Sequence, residues 1–263
     1  MVEVEVVFLG TASAFPTRRR SNLCVLLDAP HFRMLIEAGP TVMQQIHRAG
    51  FEAADVEMVF VSHDHGDHAL GFPMLALNRL SASTPLNVYA GLDTLTTLRI
   101  LLALTWRGLK THQFEITWHA LSEEVAEQVN LGAGVVMRTV PVPAPPGVST
   151  LAARWTFSGG PSVAFVTDTV ACSEAVDLAR GADLLIHEAS FSATLQPDID
   201  PRPIYHSTAR QAGEIARAAG CPRLALVHLS PQVSDSPEAL VEEARAGTGL
   251  DVIVPEDGDV LRV

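Results

Sequence analysis

Ser62-His63-Asp64-His65-Gly66-Asp67-His68 follows directly on the apolar run Val59-Phe60-Val61. Such a run predicts a buried strand, so the polar stretch is expected to form the loop at the end of that strand. Its imidazoles and carboxylates are ligands that borderline divalent ions such as zinc prefer. The sequence therefore predicts a metal site at the end of a central strand.

Further ligands are expected at other strand ends, because one short loop cannot satisfy two metal ions. Asp168 follows the strand-like residues 163–167, and His228 lies within the strand-like residues 224–229. A polar side chain at the end of a buried strand needs a partner. We therefore predict that Asp168 and His228 join the loop as metal ligands.

Strand-like and helical patterns alternate along the whole chain, which predicts packed α/β layers in a single domain of residues 1–263. Residues 92–105 are apolar enough to predict a largely buried helix. Asp257-Gly258, between residues 252–254 and 260–263, predicts a closing β-hairpin.

The composition bears on membrane association and on the location of the protein. The hydrophobic fraction is 48%, and no apolar run reaches the roughly 18 residues that cross a bilayer, so no membrane partner is expected. Alternating valine and glutamate at residues 2–6 predicts a strand rather than a signal peptide. Three widely spaced cysteines, Cys24, Cys172 and Cys221, predict reduced thiols and a cytoplasmic location.

The motifs taken together resemble the metallo-β-lactamase superfamily, and within it the RNase Z branch. The His-x-His-x-Asp-His loop, followed by Gly71-Phe72-Pro73, is similar to the superfamily signature. Other stretches are similar to RNase Z motifs and occur in the same order: Phe8-Leu9-Gly10-Thr11, Thr167-Asp168-Thr169, Leu185-Ile186-His187-Glu188-Ala189, His206-Ser207-Thr208-Ala209 and His228-Leu229-Ser230.

The resemblance implies a fold, a site and an assembly. The fold is a four-layer αβ/βα sandwich in which two mixed sheets are flanked by helices and the metals lie at one edge. The assembly is a homodimer. The site residues and their implied roles are His63 and His65 at metal 1, Asp67, His68 and His228 at metal 2, Asp168 as the bridge, His206 as proton donor and Glu188 as its orienting partner. Asp67 is also implied to assist the nucleophile.

Two features depart from this family pattern. Alignment of residues 142–155 places Ala144 where metal 1 normally takes a third histidine, and alanine cannot ligate. Loss of even an outer hydrogen-bonding partner of a metal ligand costs about 10–100-fold in affinity or activity, and loss of a ligand itself should cost at least as much. We therefore predict a weak or empty metal 1. His112 or His119 could fold over as a substitute, but both are expected in unrelated loops. The second departure is that residues 158–161 leave no room for the arm that grips tRNA in this family.

The charge distribution also bears on the substrate. The formal net charge is −12, so the protein as a whole repels polyanions. The basic run Arg18-Arg19-Arg20 follows the first strand and would suit a phosphate, although most such runs are simply solvated.

The leading hypothesis is a phosphodiesterase of RNase Z-like type that uses a metal-activated water. Zinc is the expected metal and manganese the alternative, and the substrate is a small phosphodiester or an RNA end. A lactone or ester hydrolase is a second hypothesis, because the same fold serves several substrates. A third is a non-catalytic metal-binding protein with a degraded site, which Ala144 favours. The proton-donor pair His206 and Glu188 favours an enzyme.

Overall fold

Two mixed β-sheets form the centre of the molecule in a computed structural model that describes residues 2–80, 82–106 and 115–263. Over these ranges, each sheet has seven strands. The first sheet has the order β14-β1-β2-β3-β4-β5-β6 and contains β1 (Glu5–Gly10), β2 (Cys24–Ala29), β3 (Phe32–Ile36), β4 (Met58–Phe60), β5 (Leu86–Gly91), β6 (Ile116–Leu121) and β14 (Val260–Arg262). The second has the order β13-β12-β11-β10-β9-β8-β7 and contains β7 (Glu127–Gly132), β8 (Val135–Val142), β9 (Thr150–Phe157), β10 (Ser162–Val166), β11 (Leu184–Glu188), β12 (Arg223–Val227) and β13 (Asp251–Ile253).

The sheets pack face to face through their apolar side chains. Alternate residues of each strand point to one face, so Phe8 and Met34 of the first sheet meet Phe165 of the second in one buried cluster. Phe60 and Trp155 make an edge-to-face contact across this cluster, with ring centroids 5.6 Å apart. This contact anchors the strand that leads into the His-rich loop.

Helices cover the outer face of each sheet, which confirms the predicted four-layer αβ/βα arrangement. The helices are α1 (Val42–Arg48), α2 (Gly66–Ala69), α3 (Phe72–Asn78), α4 (Leu92–Thr105), α5 (Ser173–Ala179), α6 (Ala209–Ala219), α7 (Pro231–Ser234) and α8 (Pro237–Arg245). Apolar residues of α1, α3 and α4 pack on the first sheet, and those of α5, α6 and α8 pack on the second. None of the helices within the described ranges is long and apolar enough to cross a membrane.

Two local predictions are wrong. The closing strands do not pair as a hairpin, because β13 joins β12 in the second sheet and β14 joins β1 in the first. Asp257-Gly258 therefore connects the two sheets. Helix α4 is not largely buried, because Leu92, Ile100 and Leu104 are each more than half exposed.

The strand directions bring several strand ends to one edge of the sandwich. β3, β4 and β5 are parallel in the first sheet, and β10, β11 and β12 are parallel in the second. The carboxyl ends of these strands carry the His-rich loop, Asp168, Glu188 and His228. The topology thus collects residues that are far apart in the sequence.

Candidate metal centre

The His-rich loop leaves β4 and closes with the short helix α2. His63 and His68 are completely buried, whereas His65 is exposed. His63 Nδ1 lies 2.9 Å from Ser62 Oγ, which leaves His63 Nε2 facing the other sheet. The loop therefore presents buried imidazoles at the junction of the two sheets.

Two carboxylates join these imidazoles to the second sheet. Asp168 Oδ1 lies 3.4 Å from His68 Nε2 and 3.3 Å from His228 Nε2. Its other oxygen is 3.7 Å from His63 Nε2. Asp67 Oδ2 lies 3.2 Å from His68 Nε2 and 3.3 Å from His228 Nε2. Five of the six predicted metal ligands thus converge on one centre.

Two of these ligands, Asp168 and His228, have a left-handed backbone conformation. Asp168 has φ 47° and His228 has φ 57°, and each lies just beyond a parallel strand. This conformation is unfavourable for residues other than glycine and is typical of functional sites. His228 thus lies one residue past β12, although the sequence pattern placed it within a strand.

The donor atoms fit a divalent metal ion. His63 Nε2 and both ring nitrogens of His68 are buried and make no hydrogen bond to any residue that the structure describes. Buried polar groups normally have partners, so these nitrogens are well placed to bind an ion. Among the described residues, three groups have ligand atoms within 4.8 Å of one another: His63, His68 and Asp168; Asp67, His68 and His228; and Asp168, His206 and His228.

The predicted metal 1 ligands are less complete. The His65 ring centroid is 4.5 Å from that of His63, but His65 belongs to none of the three groups found among the described residues. Thr169 Oγ1 donates to Pro143 O at 2.8 Å, which ties the loop of Ala144 to the loop of Asp168. Ala144 therefore adjoins the centre without offering a ligand atom.

His119 does not fill this gap, since it belongs to none of the groups found among the described residues. His112 lies outside the described residues. His119 stacks on Tyr89 at 4.3 Å, and its Nε2 lies 3.0 Å from Asn87 Oδ1. His119 on β6 thus makes its ring contact and its hydrogen bond with the neighbouring strand β5.

Burial and neighbouring charges shift the pKa values of the residues that would face a cation in this centre. Burial alone would raise the pKa of Asp67, but the neighbouring imidazoles of His228 and His68 hold this pKa well below its ordinary value. Burial likewise opposes ionisation of Asp168, yet the same two histidines hold its pKa well below its ordinary range. Burial, and next the charge of His68, lower the pKa of His63. Both carboxylates are therefore ionised and His63 is neutral, as metal ligands must be. Asp168 and Glu37 raise the pKa of His68 against the effect of burial, so a metal ion would displace a proton from His68.

A second functional pair lies beside this cluster. Both oxygens of Glu188 are 3.1 Å from His206 Nδ1, which donates to them. Glu188 is fully buried, whereas the His206 side chain is 22% exposed. Burial alone would lower the pKa of His206, but the Glu188 carboxylate raises it to about 9. His206 can therefore hold a proton at neutral pH on a ring that solvent reaches.

Two buried residues of this centre were absent from the predicted site. Glu37 accepts from Ser62 N at 3.2 Å, and its Oε2 lies 3.4 Å from His68 Nδ1. Ser190 Oγ lies 2.9 Å from His228 Nδ1 and 2.6 Å from Glu188 Oε2. Glu37 follows an apolar strand, so the signal that identified Asp168 would also have identified Glu37. Ser190 carries no such signal, because a serine is unremarkable in a loop.

The arginine run has two parts. Arg20 is buried, and its guanidinium donates to Thr11 Oγ1 at 2.7 Å. Arg18 and Arg19 are exposed. Only the exposed pair is free to meet a phosphate, because Arg20 is committed to internal contacts.

Comparison with known proteins shows which family model and which relatives the chain is similar to. A family model described as the Beta-lactamase superfamily domain matches residues 32–229. The ribonuclease Z of Natronomonas pharaonis is 30% identical over 306 aligned positions, which cover 100% of this chain and 98% of that protein.

Solved structures share the fold. A metallo-β-lactamase fold protein from Bacillus subtilis has a TM-score of 0.84 at 22% identity, covering 99% of this chain and 100% of the other. The short form of human tRNase Z has a TM-score of 0.78 at 21% identity, covering 98% of each chain.

Proposed function

This chain belongs to the metallo-β-lactamase superfamily, in its ribonuclease Z-like branch, and from that premise we propose that it is a metal-dependent phosphodiesterase. The observation that carries the proposal is the pair His206 and Glu188 beside the ligand cluster. A metal site with a purely structural role would have no use for a histidine held in its protonated form.

The residues divide into ligands and proton carriers. We assign His63, His68, Asp67, Asp168 and His228 to metal binding, with His65 completing metal 1. A divalent ion there would lower the pKa of a bound water and offset negative charge on the phosphoryl oxygens. Zinc suits this mixture of imidazole and carboxylate, and manganese is the alternative.

His206 acts as the general acid in this proposal. Glu188 holds His206 Nδ1, so Nε2 is the nitrogen that delivers a proton to the departing oxygen. Asp67 is ionised and lies within 3.3 Å of His228, so it can serve both as a ligand and as an orienting group for the nucleophile.

Metal 1 is the weaker site in this proposal. Ala144 removes one imidazole from its shell, and His65 is exposed rather than held in the buried cluster. The groups built around His68, Asp168 and His228 keep their full set of donors. Metal 2 is therefore expected to bind first.

The substrate is a small phosphodiester or an RNA end rather than the body of a tRNA. Strands β9 and β10 are antiparallel neighbours joined by residues 158–161, which supports the absence of a gripping arm there. The 306-position alignment is longer than this 263-residue chain, so the relative carries segments without a counterpart here. The net charge of −12 also disfavours a large polyanion.

We expect a homodimer, from the family resemblance, and a cytoplasmic location. The location is supported by three free cysteines, of which Cys24 and Cys221 are buried. Sedimentation of the purified protein would test the dimer directly.

A non-catalytic metal-binding protein is the second candidate, and Ala144 is the observation that favours it. A panel of substrates distinguishes the candidates: a dinucleotide, a 3′-extended RNA, a carboxylic ester and a lactone, each with zinc-loaded and stripped protein. The proposal expects zinc-dependent cleavage of the phosphodiesters that is lost in His206→Ala. Cleavage of the esters alone would identify a carboxylic ester hydrolase, and zinc binding without turnover would favour the binding protein.

A further inference from the structure

The Ser190 hydroxyl lies between the proposed metal ligands and the proposed proton donor. Ser190 is buried, and its Oγ has four polar neighbours. They are Glu188 Oε2 at 2.6 Å, His228 Nδ1 at 2.9 Å, His228 O at 3.0 Å and His206 Nδ1 at 3.4 Å. A hydroxyl donates one hydrogen bond and accepts up to two, so these contacts cannot all be equal.

The position of the hydroxyl hydrogen follows from the neighbours. Burial alone would raise the pKa of Glu188, but His206 holds it below the ordinary value, so Glu188 is an ionised acceptor. At 2.6 Å, its contact with Ser190 has the short length of an O–H···O⁻ hydrogen bond. The hydrogen therefore points at Glu188, and the Ser190 lone pairs face His228.

This assignment fixes the tautomer of His228. Since the Ser190 oxygen accepts, His228 Nδ1 must carry the hydrogen that it receives. His228 Nε2 then keeps its lone pair, and this nitrogen lies 3.3 Å from both Asp67 Oδ2 and Asp168 Oδ1. The nitrogen that faces the ligand cluster is thus the one that is free to bind an ion.

We infer that Ser190 is a positioning residue that orients His228 for metal binding and Glu188 for holding the proton donor. The inference rests on the proposed function and adds a physical link between its two halves. One hydroxyl joins a metal ligand to the carboxylate that holds His206, so its loss affects both. Outer partners of metal ligands typically contribute about 10–100-fold to affinity or activity.

Zinc affinity of the stripped protein tests this inference without any substrate. The variants are Ser190→Ala, which removes the hydroxyl, and Ser190→Thr, which keeps it. Ser192→Ala is the matched control, because Ser192 is also buried and hydrogen-bonded in the same loop but donates to Glu243 at 2.5 Å. Competition with a chromogenic zinc chelator gives the dissociation constants, and circular dichroism checks that each variant is folded.

We expect Ser190→Ala to bind zinc about 10–100-fold more weakly than the native protein. Ser190→Thr and Ser192→Ala should bind as the native protein does. The inference is overturned if folded Ser190→Ala keeps native affinity, or if Ser192→Ala or Ser190→Thr loses as much as Ser190→Ala.

A second measurement needs no variant. Long-range proton–nitrogen NMR of the zinc-loaded native protein should show His228 protonated at Nδ1 and bound at Nε2. Binding through Nδ1 would overturn the inference even if every variant misfolded. Both readouts are independent of turnover, so an inactive protein with these properties would refute the phosphodiesterase proposal and leave the role of Ser190 intact.

Discussion

Replacing Glu188 by glutamine should shift the alkaline limit of catalysis towards neutral pH. The substitution keeps the shape of the side chain but removes the charge that raises the pKa of His206 from 6.5 to about 9. Each pKa unit corresponds to about 1.4 kcal/mol, so the net shift corresponds to roughly 3 kcal/mol, with Glu188 as the largest favourable contribution and Asp168 and Asp67 as smaller ones. Without the charge of Glu188, burial opposes these smaller contributions, and the pKa of His206 should return to about its ordinary value.

The size of the effect depends on pH. At pH 8 the native His206 is mostly protonated, whereas a histidine of ordinary pKa is only a few per cent protonated, so activity should fall about 30-fold. At pH 6 both forms are largely protonated, and protonation alone should change activity by about twofold or less. The loss in Glu188→Gln should therefore grow steadily between these two pH values.

The assay must use a substrate that needs a proton donor. Cleavage of an RNA dinucleotide releases a poor alkoxide leaving group, whereas a nitrophenyl phosphodiester releases a stable anion that departs without a proton. The pH profile of kcat should shift for the dinucleotide and stay nearly unchanged for the nitrophenyl substrate. Equal losses on both substrates, or a loss that is the same at pH 6 and pH 8, would refute the reasoning.

Glu243→Gln provides the matched control. Glu243 is also a buried carboxylate, and it accepts from Ser192 Oγ and from the backbone amides of Ala193, Thr194 and Arg210. Its replacement should lower stability without moving the alkaline limit of the dinucleotide reaction. An alkaline limit that moved equally in Glu243→Gln would mean that any buried carboxylate has this effect.

Three further predictions concern the metals and the fold. Ala144→His should raise the zinc content at limiting metal towards two ions per chain, measured by atomic emission, and unchanged stoichiometry would contradict the assignment of Ala144. Asp168→Asn should lose most bound zinc because Asp168 contacts His63, His68 and His228; retention of native zinc content after dialysis would exclude it as a ligand. In stripped protein, the folded pKa of His206 is raised, so its stabilising contribution is fully present below pH 6.5 and is lost as the pH rises through about 9. The difference in unfolding free energy between native protein and His206→Ala should shrink over that range in urea titrations, and a constant difference would contradict the raised pKa.

The parts of the site that the sequence predicts are those where chemistry coincides with the end of an apolar strand. Asp168 and His228 were identified because a polar group directly follows or ends a buried run. The structure places Asp168 Oδ1 3.4 Å from His68 Nε2 and 3.3 Å from His228 Nε2, because parallel strands share one edge. This prediction does not depend on strand direction, because a polar side chain at the end of a buried strand needs a partner whichever way the strand runs.

Sequence patterns could not identify contacts that depend on tertiary packing. Asp257-Gly258 has the composition of a hairpin turn, yet the strands that flank it join different sheets. The burial of α4 was overestimated because an apolar composition does not say how many faces have a neighbour. Ser190 was missed because its role depends on two histidines that approach it from other elements.

The resemblance supplied roles that residue patterns alone do not give. His206 has no special local signal, and its pairing with Glu188 becomes visible only in the folded chain. His65 shows the opposite case, because its place in the motif predicts a ligand while the structure leaves it exposed. Its ring lies 4.5 Å from that of His63, which keeps metal 1 in the proposal as the site of lower expected affinity.

Zinc-dependent cleavage of an RNA dinucleotide tests the central claim most directly. The protein would be stripped with a chelator and then titrated with zinc while product is measured, with His206→Ala titrated in parallel. The proposed function predicts no turnover without zinc, turnover that saturates with zinc, and a large loss in the variant although zinc still binds. Turnover that is independent of zinc, or none at saturating zinc in the native protein, would contradict the assignment of this chain as a metal-dependent phosphodiesterase.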